Sequence, residues 1–364
     1  MGQPTMSKVE MATRKTYGTG DNKVRGRRRF LISNFFGGVL QRGIPIYVQN
    51  LRIALEQEGI TCREVRCPAM LRRLPHPWLG LLFITWEQLV MPVLSLGYDH
   101  AFYPYNSTSI LDSVTGKSVL VVHDFIPNSR RNTKVLANYI RTVQRIHAWF
   151  GRDVIYVSRS TARIGKRSGR FPRSLTYLFP NSFYQFMKHV SDEPQARADA
   201  ILLCSGWGKN KNLEGALRLY LESKLYRSRR LRILGLAGRR AVVEEFERAH
   251  AEVAGRIDVL GQVDDRTVVD AYQRAAWVWV HSLAEGYGRS IAEARICGSK
   301  VIATSIAPFR EQADDATFFY RGLEQFQRAV ANCEAMSGPV TRRPPPEHEI
   351  LQSEIRRFMS ANGQ

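Results

Sequence analysis

Cysteine is scarce in this chain, and its few cysteines form no pattern. The 364 residues include five, scattered without a Cys-x-x-Cys pair or a matching histidine spacing: Cys62, Cys67, Cys204, Cys297 and Cys333. An odd, scattered set disfavours both a disulfide framework and a structural zinc site. The composition therefore predicts a reducing compartment, and we expect the protein to be cytoplasmic.

The first 28 residues lack a long apolar run. A secretory signal needs a core of about seven or more apolar residues, whereas residues 1–28 carry seven Lys or Arg against two Asp or Glu. This composition predicts a polar, basic, disordered arm. Alternatively, translation starts at Met6 or Met11 and the gene is shorter than the sequence given.

Several nucleotide-binding and catalytic motifs are also missing. Gly116-Lys117-Ser118 resembles the end of a Walker A loop, but Leu111 stands where that loop needs its first glycine. G-x-G-x-x-G after the first strand, H-E-x-x-H, G-x-S-x-G and D-x-D are absent from the sequence. These absences disfavour P-loop NTPases, nicotinamide dehydrogenases, zinc proteases, serine hydrolases and metal-dependent sugar transferases.

One segment, residues 78–96, is almost long and apolar enough to span a bilayer. Glu87 and Gln88 lie at its centre and Pro92 follows them. A charge at that depth costs about 2.5–3.5 kcal/mol even on the lenient insertion scale. The segment is therefore predicted to be a buried or interfacial helix.

Positive charge is unevenly distributed along the chain, whose formal net charge is +20. Residues 1–190 carry 28 Lys and Arg against 10 Asp and Glu, whereas residues 191–364 carry 25 against 23. The amino-terminal half is thus expected to present a positive surface to an anionic partner. Phospholipid headgroups, a phosphate-bearing lipid and nucleic acid are the candidates, although no RNP-type aromatic pattern supports the last.

Strand-like and helix-like segments alternate along most of the chain. Strands are predicted at 29–35, 118–124, 153–158, 200–204, 231–235, 257–260, 277–281 and 300–304, and helices at 44–57, 131–149, 212–223, 241–254, 265–275 and 290–297. Such alternation predicts an α/β protein with two doubly wound, Rossmann-like lobes and a ligand cleft between them.

The predicted organisation has five parts. They are the arm (1–28), an amino-terminal Rossmann-like lobe (29–182), a linker (183–198), a carboxyl-terminal Rossmann-like lobe (199–336), and a Pro-rich linker with a final helix near 346–359 (337–364).

The residues with the clearest chemistry lie between His281 and Glu311. A strand ends at His281, a glycine-bearing turn follows at 285–288, and a short helix over 290–297 stops at Gly298. Glycines let backbone N–H groups approach a ligand, and the N-terminus of a helix attracts anions. This turn is therefore a predicted phosphate-binding site.

Two carboxylates flank this turn. Glu285 precedes the glycines and Glu293 lies eight residues later, one turn into the helix. Carboxylates accept hydrogen bonds from sugar hydroxyls, so the pair predicts a ligand with both sugar and phosphate. The alternative is that Ser290 and Glu293 form a capping box that closes the helix end.

The E-x7-E pattern from Glu285 to Glu293, with the V-I-A-T-S-x-x-P-F-R-E run after Gly298, resembles the donor site of retaining glycosyltransferases of family 4, which have the two-lobed GT-B fold. Other segments resemble the same family in chain order: Gly43-Ile44, Trp86-Glu87-Gln88 with Pro92, Val122-His123-Asp124 with Pro127, Val157-Ser158, Lys211-Asn212 and Gly261-Gln262-Val263. The resemblance covers about residues 29–335.

The resemblance implies a role for each matching residue. Glu285 would contact the donor sugar, Glu293 the ribose, and Lys211 the leaving diphosphate. His123 would lie beside the transferred sugar, unless it is only a structural histidine at a strand end. The remaining expected contacts are Gly43, Gly286, Tyr287, Gly288 and the helix start at Ser290 with the diphosphate, and Val263 with the base.

The sequence departs from the family at the phosphate clamp. Trp207 stands where the family commonly has an arginine, in a shortened Gly206–Lys211 loop, and Lys209 is the expected substitute. His281, Arg289, Ser290 and Lys300 replace the more usual Pro, Leu, Pro and Pro. Arg289 would add a second cation for the diphosphate, or else be a solvated surface arginine.

The resemblance implies a retaining, metal-independent glycosyltransferase that uses a nucleoside-diphosphate sugar, without a metal or other cofactor. The W-E-Q and H-D-x-x-P segments look most like mannosyltransferases, so GDP-mannose is the first expected donor. The basic half predicts a polyprenyl-diphosphate-linked or glycan acceptor and peripheral binding to the inner face of the cytoplasmic membrane, in polysaccharide or lipopolysaccharide assembly. The alternatives are an inactive scaffold or partner subunit of the same fold and, more remotely, a nucleic-acid-binding protein.

Overall fold

The structure is a computed structural model that describes residues 28–38, 43–73, 75–125, 134–191, 193, 197–206, 208–236, 240–261, 263–338, 340–342 and 345–362. Nearly all of the predicted arm lies outside the described residues. So do Pro127, Trp207 and Gln262, which the sequence analysis singled out.

The amino-terminal lobe is built on a six-stranded parallel sheet. Its spatial order is β2-β1-β3-β4-β5-β6, with strands β1 (Arg29–Ser33), β2 (Thr61–Val65), β3 (His100–Tyr103), β4 (Ser118–Val122), β5 (Val154–Tyr156) and β6 (Thr176–Leu178). Its helices are α1 (Ile44–Gln57), α2 (His76–Thr85), α3 (Met91–Ser95), α4 (Ile110–Thr115), α5 (Lys134–Trp149), α6 (Arg159–Arg167) and α7 (Tyr184–Met187), with a short 3₁₀ helix at Ala69–Arg73.

The carboxyl-terminal lobe repeats this plan. Its parallel sheet has the order β12-β11-β10-β7-β8-β9, with strands β7 (Ala200–Cys204), β8 (Arg230–Leu234), β9 (Ile257–Gly261), β10 (Val278–Val280), β11 (Val301–Thr304) and β12 (Thr317–Tyr320). Its helices are α8 (Leu213–Glu222), α9 (Arg240–Ala249), α10 (Asp265–Arg274), α11 (Arg289–Ile296), α12 (Ala307–Gln312) and α13 (Leu323–Ala335), with 3₁₀ helices at Lys209–Lys211, Leu225–Arg227 and Ala251–Val253.

The two sheets confirm the predicted α/β fold with two doubly wound lobes. Strand β7 is buried along its whole length, as expected of a parallel strand covered by helices on both faces. In each sheet the chain moves outward in one direction from the first strand and then reverses to the other side. Ligands bind at the carboxyl ends of the strands beside such a reversal.

The sequence analysis missed several short elements. It did not predict β2, β3, β6 or β12, which have only three to five residues each and too little alternation to be recognised. It also predicted one helix over 241–254, whereas α9 ends at Ala249 and a separate 3₁₀ turn follows.

A last helix, α14 (Glu347–Ala361), returns the chain to the amino-terminal lobe. Its Phe358 packs edge-on against Phe30 at 6.0 Å and against Tyr177 at 5.1 Å between ring centroids. Glu347, at the start of α14, forms a buried ion pair with Arg295 of α11 at 2.7 Å. One helix therefore links both lobes through buried contacts.

The apolar segment forms a continuous helix, because a π-helical turn at Trp86–Val90 joins α2 to α3. Residues Trp78–Ser95 have the length and mean hydropathy, 1.4, of a membrane span, and a third of this stretch is buried. Glu87 is fully buried within the lobe, where burial raises its pKa to about 8. The opposite side of the helix is exposed, and Trp78 and Leu96 retain 61% and 75% of their accessible surface.

Candidate active site

A cavity of about 500 Å³ lies between the lobes, at the carboxyl ends of both sheets. All residues that the sequence analysis assigned to the site line it, except Lys209. The lining residues are Gly43, Ile44, Asn106, His123, Asp124, Val157, Asn181, Ser205, Gly206, Lys211, Leu234, Gly235, Gly261, Val263, Val268, Val280, Glu285, Gly286, Tyr287, Gly288, Arg289, Ser290, Glu293 and Phe309.

The glycine turn and α11 form one wall of this cavity. Helix α11 begins at Arg289, one residue earlier than predicted, with Gly288 at its N-cap. Gly288 has a φ of 94°, in the left-handed region that favours glycine. No side chain caps this helix, so its first N–H groups are available to an anion.

Glu293 does not close a capping box. Its carboxylate accepts hydrogen bonds from the Tyr272 hydroxyl at 3.0 Å and from Arg289 at 3.0 Å, and the N-cap position belongs to Gly288 rather than Ser290. The capping-box alternative is therefore wrong.

Glu285 and Lys211 form an ion pair inside the cavity. The Lys211 ammonium lies 2.7 Å from Oε1 of Glu285, in poor geometry for a hydrogen bond at that oxygen. Burial by itself lowers the pKa of Lys211, but Glu285, together with Cys204 and Glu293, more than compensates, and the pKa lies above its ordinary value. Lys211 therefore carries a positive charge at neutral pH.

His123 faces the cavity from the amino-terminal lobe, at the end of β4. Its backbone N–H donates to Asn106 Oδ1 at 2.6 Å, and its ring packs edge-on against Tyr47 at 4.8 Å. Its Nε2 is buried and has no hydrogen-bond partner among the described residues. Burial lowers the pKa of His123 to about 4, so a neutral imidazole is available to a ligand hydroxyl.

Arg289 is not a solvated surface arginine. It donates to Asn181 Oδ1 at 3.1 Å and lies over the ring of Phe183, 5.1 Å from its centroid. Because it also contacts Glu293, it joins this carboxylate to the amino-terminal lobe. The sequence analysis missed Asn181, which follows β6 at the same edge of the sheet as the other site residues.

Lys209 lies apart from the other predicted site residues. It is exposed and does not line the cavity. The short helix Lys209–Lys211 is held against the glycine turn by Asn210, which donates to Ala284 O at 2.9 Å and accepts from Leu283 N at 2.7 Å. Lys211 is consequently directed into the cavity, whereas Lys209 is not.

The two lobes touch at Gly286. Its carbonyl oxygen accepts hydrogen bonds from the Ser158 and Thr161 hydroxyls, at 2.6 and 3.0 Å. Nearby, the Glu311 carboxylate accepts from the backbone N–H groups of Arg159 and Ser160 at the start of α6, at 2.8 and 2.9 Å. Thr161 was not singled out, and no inter-lobe role was predicted for Glu311, because inter-lobe contacts leave no local pattern in the sequence.

No group of three or more His, Cys, Asp or Glu side chains in the described part of the chain is arranged to hold a metal ion. Among the described residues, the positively charged groups that line the cavity are the side chains of Lys211 and Arg289.

Comparison with known proteins identifies a family for part of the chain. Residues 191–329 match the family model described as glycosyl transferases group 1. None of the curated protein sequences compared with the chain matches it.

Solved structures with the same fold cover nearly the whole chain. Sucrose-phosphate synthase from Thermosynechococcus elongatus has a TM-score of 0.62 at 16% identity over 92% of this chain and 94% of its own. HepE of Anabaena, in complex with UDP and glucose, has a TM-score of 0.58 at 15% identity over 92% and 95%. An E. coli structure described as trehalose-6-phosphate bound with UDP-2-fluoro glucose has a TM-score of 0.61 at 10% identity over 92% and 99%.

These findings define the class of the protein. The fold is GT-B, and residues 191–329 form a glycosyl transferases group 1 domain. The domain formed by residues 191–329 is, in general kind, that of a glycosyltransferase.

Proposed function

We infer that the protein is a retaining, metal-independent glycosyltransferase of the family 4 type, which transfers a sugar from a nucleoside-diphosphate sugar. One observation carries the proposal. A single cavity brings together the Lys211–Glu285 ion pair, the unpartnered Nε2 of His123 and the uncapped start of α11.

The chemical difficulty of the reaction is the departure of a diphosphate from an anomeric carbon. Lys211 and the α11 start place positive charge where the diphosphate develops its negative charge, and Arg289 adds a second cation. These groups take the role that a metal ion has in other sugar transferases. The acceptor attacks from the face that the diphosphate leaves, and the leaving phosphate takes the acceptor's proton, so no protein nucleophile is assigned.

The other site residues position the donor. Glu285 holds the sugar hydroxyls next to Lys211, and Glu293 holds the ribose. The Nε2 of His123 binds a hydroxyl of the sugar from the opposite lobe. Val263, which follows the bend at Gly261, contacts the base. Closure at Gly286 keeps water out of the cavity and limits hydrolysis of the donor.

Two observations each favour a particular donor. The sequence resemblance favours GDP-mannose, which would make the protein a mannosyltransferase. Structures of the same fold are described as complexes with UDP and UDP-2-fluoro glucose, which makes UDP-glucose the second candidate.

The acceptor is proposed to be a polyprenyl-diphosphate-linked sugar or another glycan at the inner face of the cytoplasmic membrane. The exposed side of the helix Trp78–Ser95 supports docking on a membrane, since Leu81, Leu89 and Val93 continue the apolar face that begins at Trp78. Lys117 lies at the end of this helix and donates to Ser95 O at 2.9 Å. An apolar face with a cation at its edge suits an anionic lipid surface and a role in polysaccharide or lipopolysaccharide assembly.

A thermal-shift panel tests the donor proposal. Purified protein is heated with GDP, GDP-mannose, UDP, UDP-glucose or NAD, each with and without EDTA. A ligand at 100 times its Kd stabilises a protein by about 2.7 kcal/mol, so the correct nucleotide gives a clear shift, which EDTA leaves unchanged.

The matched variants are Glu293→Gln, which removes the ribose contact, and Glu324→Gln, an exposed glutamate of α13 in the same lobe. Glu293→Gln is expected to abolish the shift and Glu324→Gln to retain it. An equal shift in both variants would contradict the donor site.

An inactive scaffold remains the second candidate, because the exposed position of Lys209 leaves Lys211 as the single lysine of the Gly206–Lys211 loop that lines the cavity. A scaffold of this kind would show no nucleotide shift at all. Binding to a short DNA in the same panel, without any nucleotide response, would instead support a nucleic-acid-binding protein.

A further inference from the structure

A second cavity, of about 320 Å³, opens on the amino-terminal lobe. Arg141, Gln144 and Arg145 contribute one face of α5, and Gly169 and Arg170 contribute the turn that follows α6. The notable feature of this arginine cavity is its charge, because three of the five described residues that line it are arginines.

No described carboxylate forms an ion pair with any of these three arginines. Arg141 and Arg145 lie four residues apart on one helix, a spacing at which like charges destabilise the helix. Repulsion between these arginines therefore destabilises the helix, and no acidic side chain among the described residues offsets it. A bound anion would offset this repulsion.

The arginine cavity is connected to the main cavity by hydrogen bonds. Arg170 donates to Gln144 Oε1 at 3.3 Å, and the buried Gln144 amide donates to Asn106 O at 2.7 Å. Asn106 in turn lines the main cavity and accepts from the backbone N–H of His123 at 2.6 Å. Gln144 and Asn106 thus connect the arginine cavity to the wall of the main cavity that carries His123.

The ring of Phe125 fixes the direction of Arg170. Its guanidinium lies over this ring at 5.0 Å from the centroid, and such stacking restricts an otherwise flexible side chain. Phe125 follows Asp124, which lines the main cavity. The same segment of chain therefore borders both cavities.

We propose that the arginine cavity binds the phosphate or diphosphate group of the acceptor. Arginine guanidinium groups match phosphate oxygens with two parallel hydrogen bonds, which lysine cannot provide. The proposal rests on the proposed glycosyltransferase function and adds to it: the acceptor is anionic, and its phosphate is recognised by the amino-terminal lobe, apart from the donor's diphosphate. The phosphate can belong to a lipid carrier or to a phosphorylated glycan.

Isothermal titration calorimetry with defined probes tests this site. Farnesyl diphosphate represents a lipid carrier and glucose 6-phosphate a phosphorylated sugar, with farnesol and glucose as their uncharged counterparts. The site variant is Arg141→Gln/Arg145→Gln. The matched control is Arg163→Gln/Arg167→Gln, an exposed pair at the same spacing on α6 that does not line this cavity.

The site variant is expected to bind one of the two phosphate probes at least tenfold more weakly than the control does, and the probe that responds identifies the source of the phosphate. An equal loss in both variants would mean general attraction of anions and would overturn the proposal. So would a loss in neither, or binding that disappears in Lys211→Ala alone, since the main cavity also offers cations to phosphate.

The proposed function is tested separately by titrating the nucleotides into the same variants. If nucleotides bind to the site variant as to the control, the loss of the phosphate probe concerns the acceptor site alone. If no nucleotide binds to any variant while the probe still depends on Arg141 and Arg145, the arginine site stands and the glycosyltransferase proposal fails. Thermal melts of both variants check that they are folded.

Discussion

Gly286 lies so close to His123 that a Cβ atom added at Gly286 would overlap the carbonyl oxygen of His123. The two residues belong to different lobes, and their contact closes the cavity on one side. The backbone of Gly286 is also the acceptor for Ser158 and Thr161. A residue on the donor side therefore sets how closely the lobes approach.

We expect Gly286→Ala to hold the lobes apart, because its clash is with backbone rather than with a flexible side chain. Nucleotide affinity should fall at least tenfold, with an increase in the radius of gyration measured by small-angle X-ray scattering. The control is Gly97→Ala, where an added Cβ meets nothing within 4 Å. Unchanged affinity and scattering in Gly286→Ala would show that closure does not depend on this contact.

The two lysines of the Gly206–Lys211 loop are expected to differ in their effect on diphosphate binding. Lys211→Met removes the charge that faces Glu285 and should weaken binding of a nucleoside diphosphate about 10- to 100-fold, since a hydrogen bond to a charged group contributes about 1.5–3 kcal/mol. Lys209→Met, outside the cavity, should change it less than threefold. Calorimetric titration compares them, and a larger loss in Lys209→Met would reverse their roles.

Glu87 makes the stability of the protein depend on pH. Its pKa is raised by burial to about 8 from a usual value of 4.5, against the opposing hydrogen bonds from Tyr139 and Ser107. The folded state therefore holds this proton more tightly than the unfolded state does. Its contribution is most favourable below pH 4.5 and is lost as the pH rises to about 8.

Replacement of Glu87 by Gln should remove this dependence. The Tm of Glu87→Gln relative to the parent protein is expected to rise between pH 5.5 and about pH 8 and then to level off, as measured by differential scanning calorimetry. Glu56→Gln, at an exposed site on α1, serves as the control. A Tm difference for Glu87→Gln that stays constant over this range would show that Glu87 is already ionised in the folded protein at pH 5.5.

The exposed face of the helix Trp78–Ser95 is expected to bind anionic membranes. In co-sedimentation at 0.1 M salt, the protein should pellet with vesicles of 70% phosphatidylcholine and 30% phosphatidylglycerol, but much less with phosphatidylcholine alone. Trp78→Ser/Leu89→Ser should reduce the pelleted fraction severalfold, because both side chains are more than half exposed on this face.

The matched control for membrane binding is Trp149→Ser/Leu175→Ser, which also removes one exposed Trp and one exposed Leu from the amino-terminal lobe. It should retain binding. If both double variants lose binding equally, the apolar face of this helix is not the membrane-binding element, and general surface hydrophobicity explains the association.

Much of the carboxyl-terminal lobe could be predicted from the sequence. Its strands β7, β8, β10 and β11 are apolar runs bounded by turns, because they are buried between helices. In the amino-terminal lobe, β3 and β6 were not recognised. They are three or four residues long and lie next to irregular segments, so their pairing depends on neighbours that are distant in the chain.

The site residues divide in the same way. Glu285, Glu293 and the glycine turn were predictable because they follow one strand and begin one helix, so a short segment contains the whole pattern. The partners of these residues were not. The Tyr272 hydroxyl donates to Glu293, and Arg289 donates to Asn181. Tyr272 and Asn181 lie on other elements of the fold, and only the packed structure brings each pair together.

The sequence by itself determined the alternation of strands and helices, the positive charge of the amino-terminal half and the order of the cavity-lining residues from Glu285 to Glu293, because each depends on local spacing or simple composition. Tertiary structure alone decided that Lys211 enters the cavity while Lys209 remains exposed, that Glu87 is buried in the lobe, and that three arginines surround a second cavity. Those outcomes depend on how helices pack and how two lobes meet. Such contacts join residues that no periodicity in the chain connects.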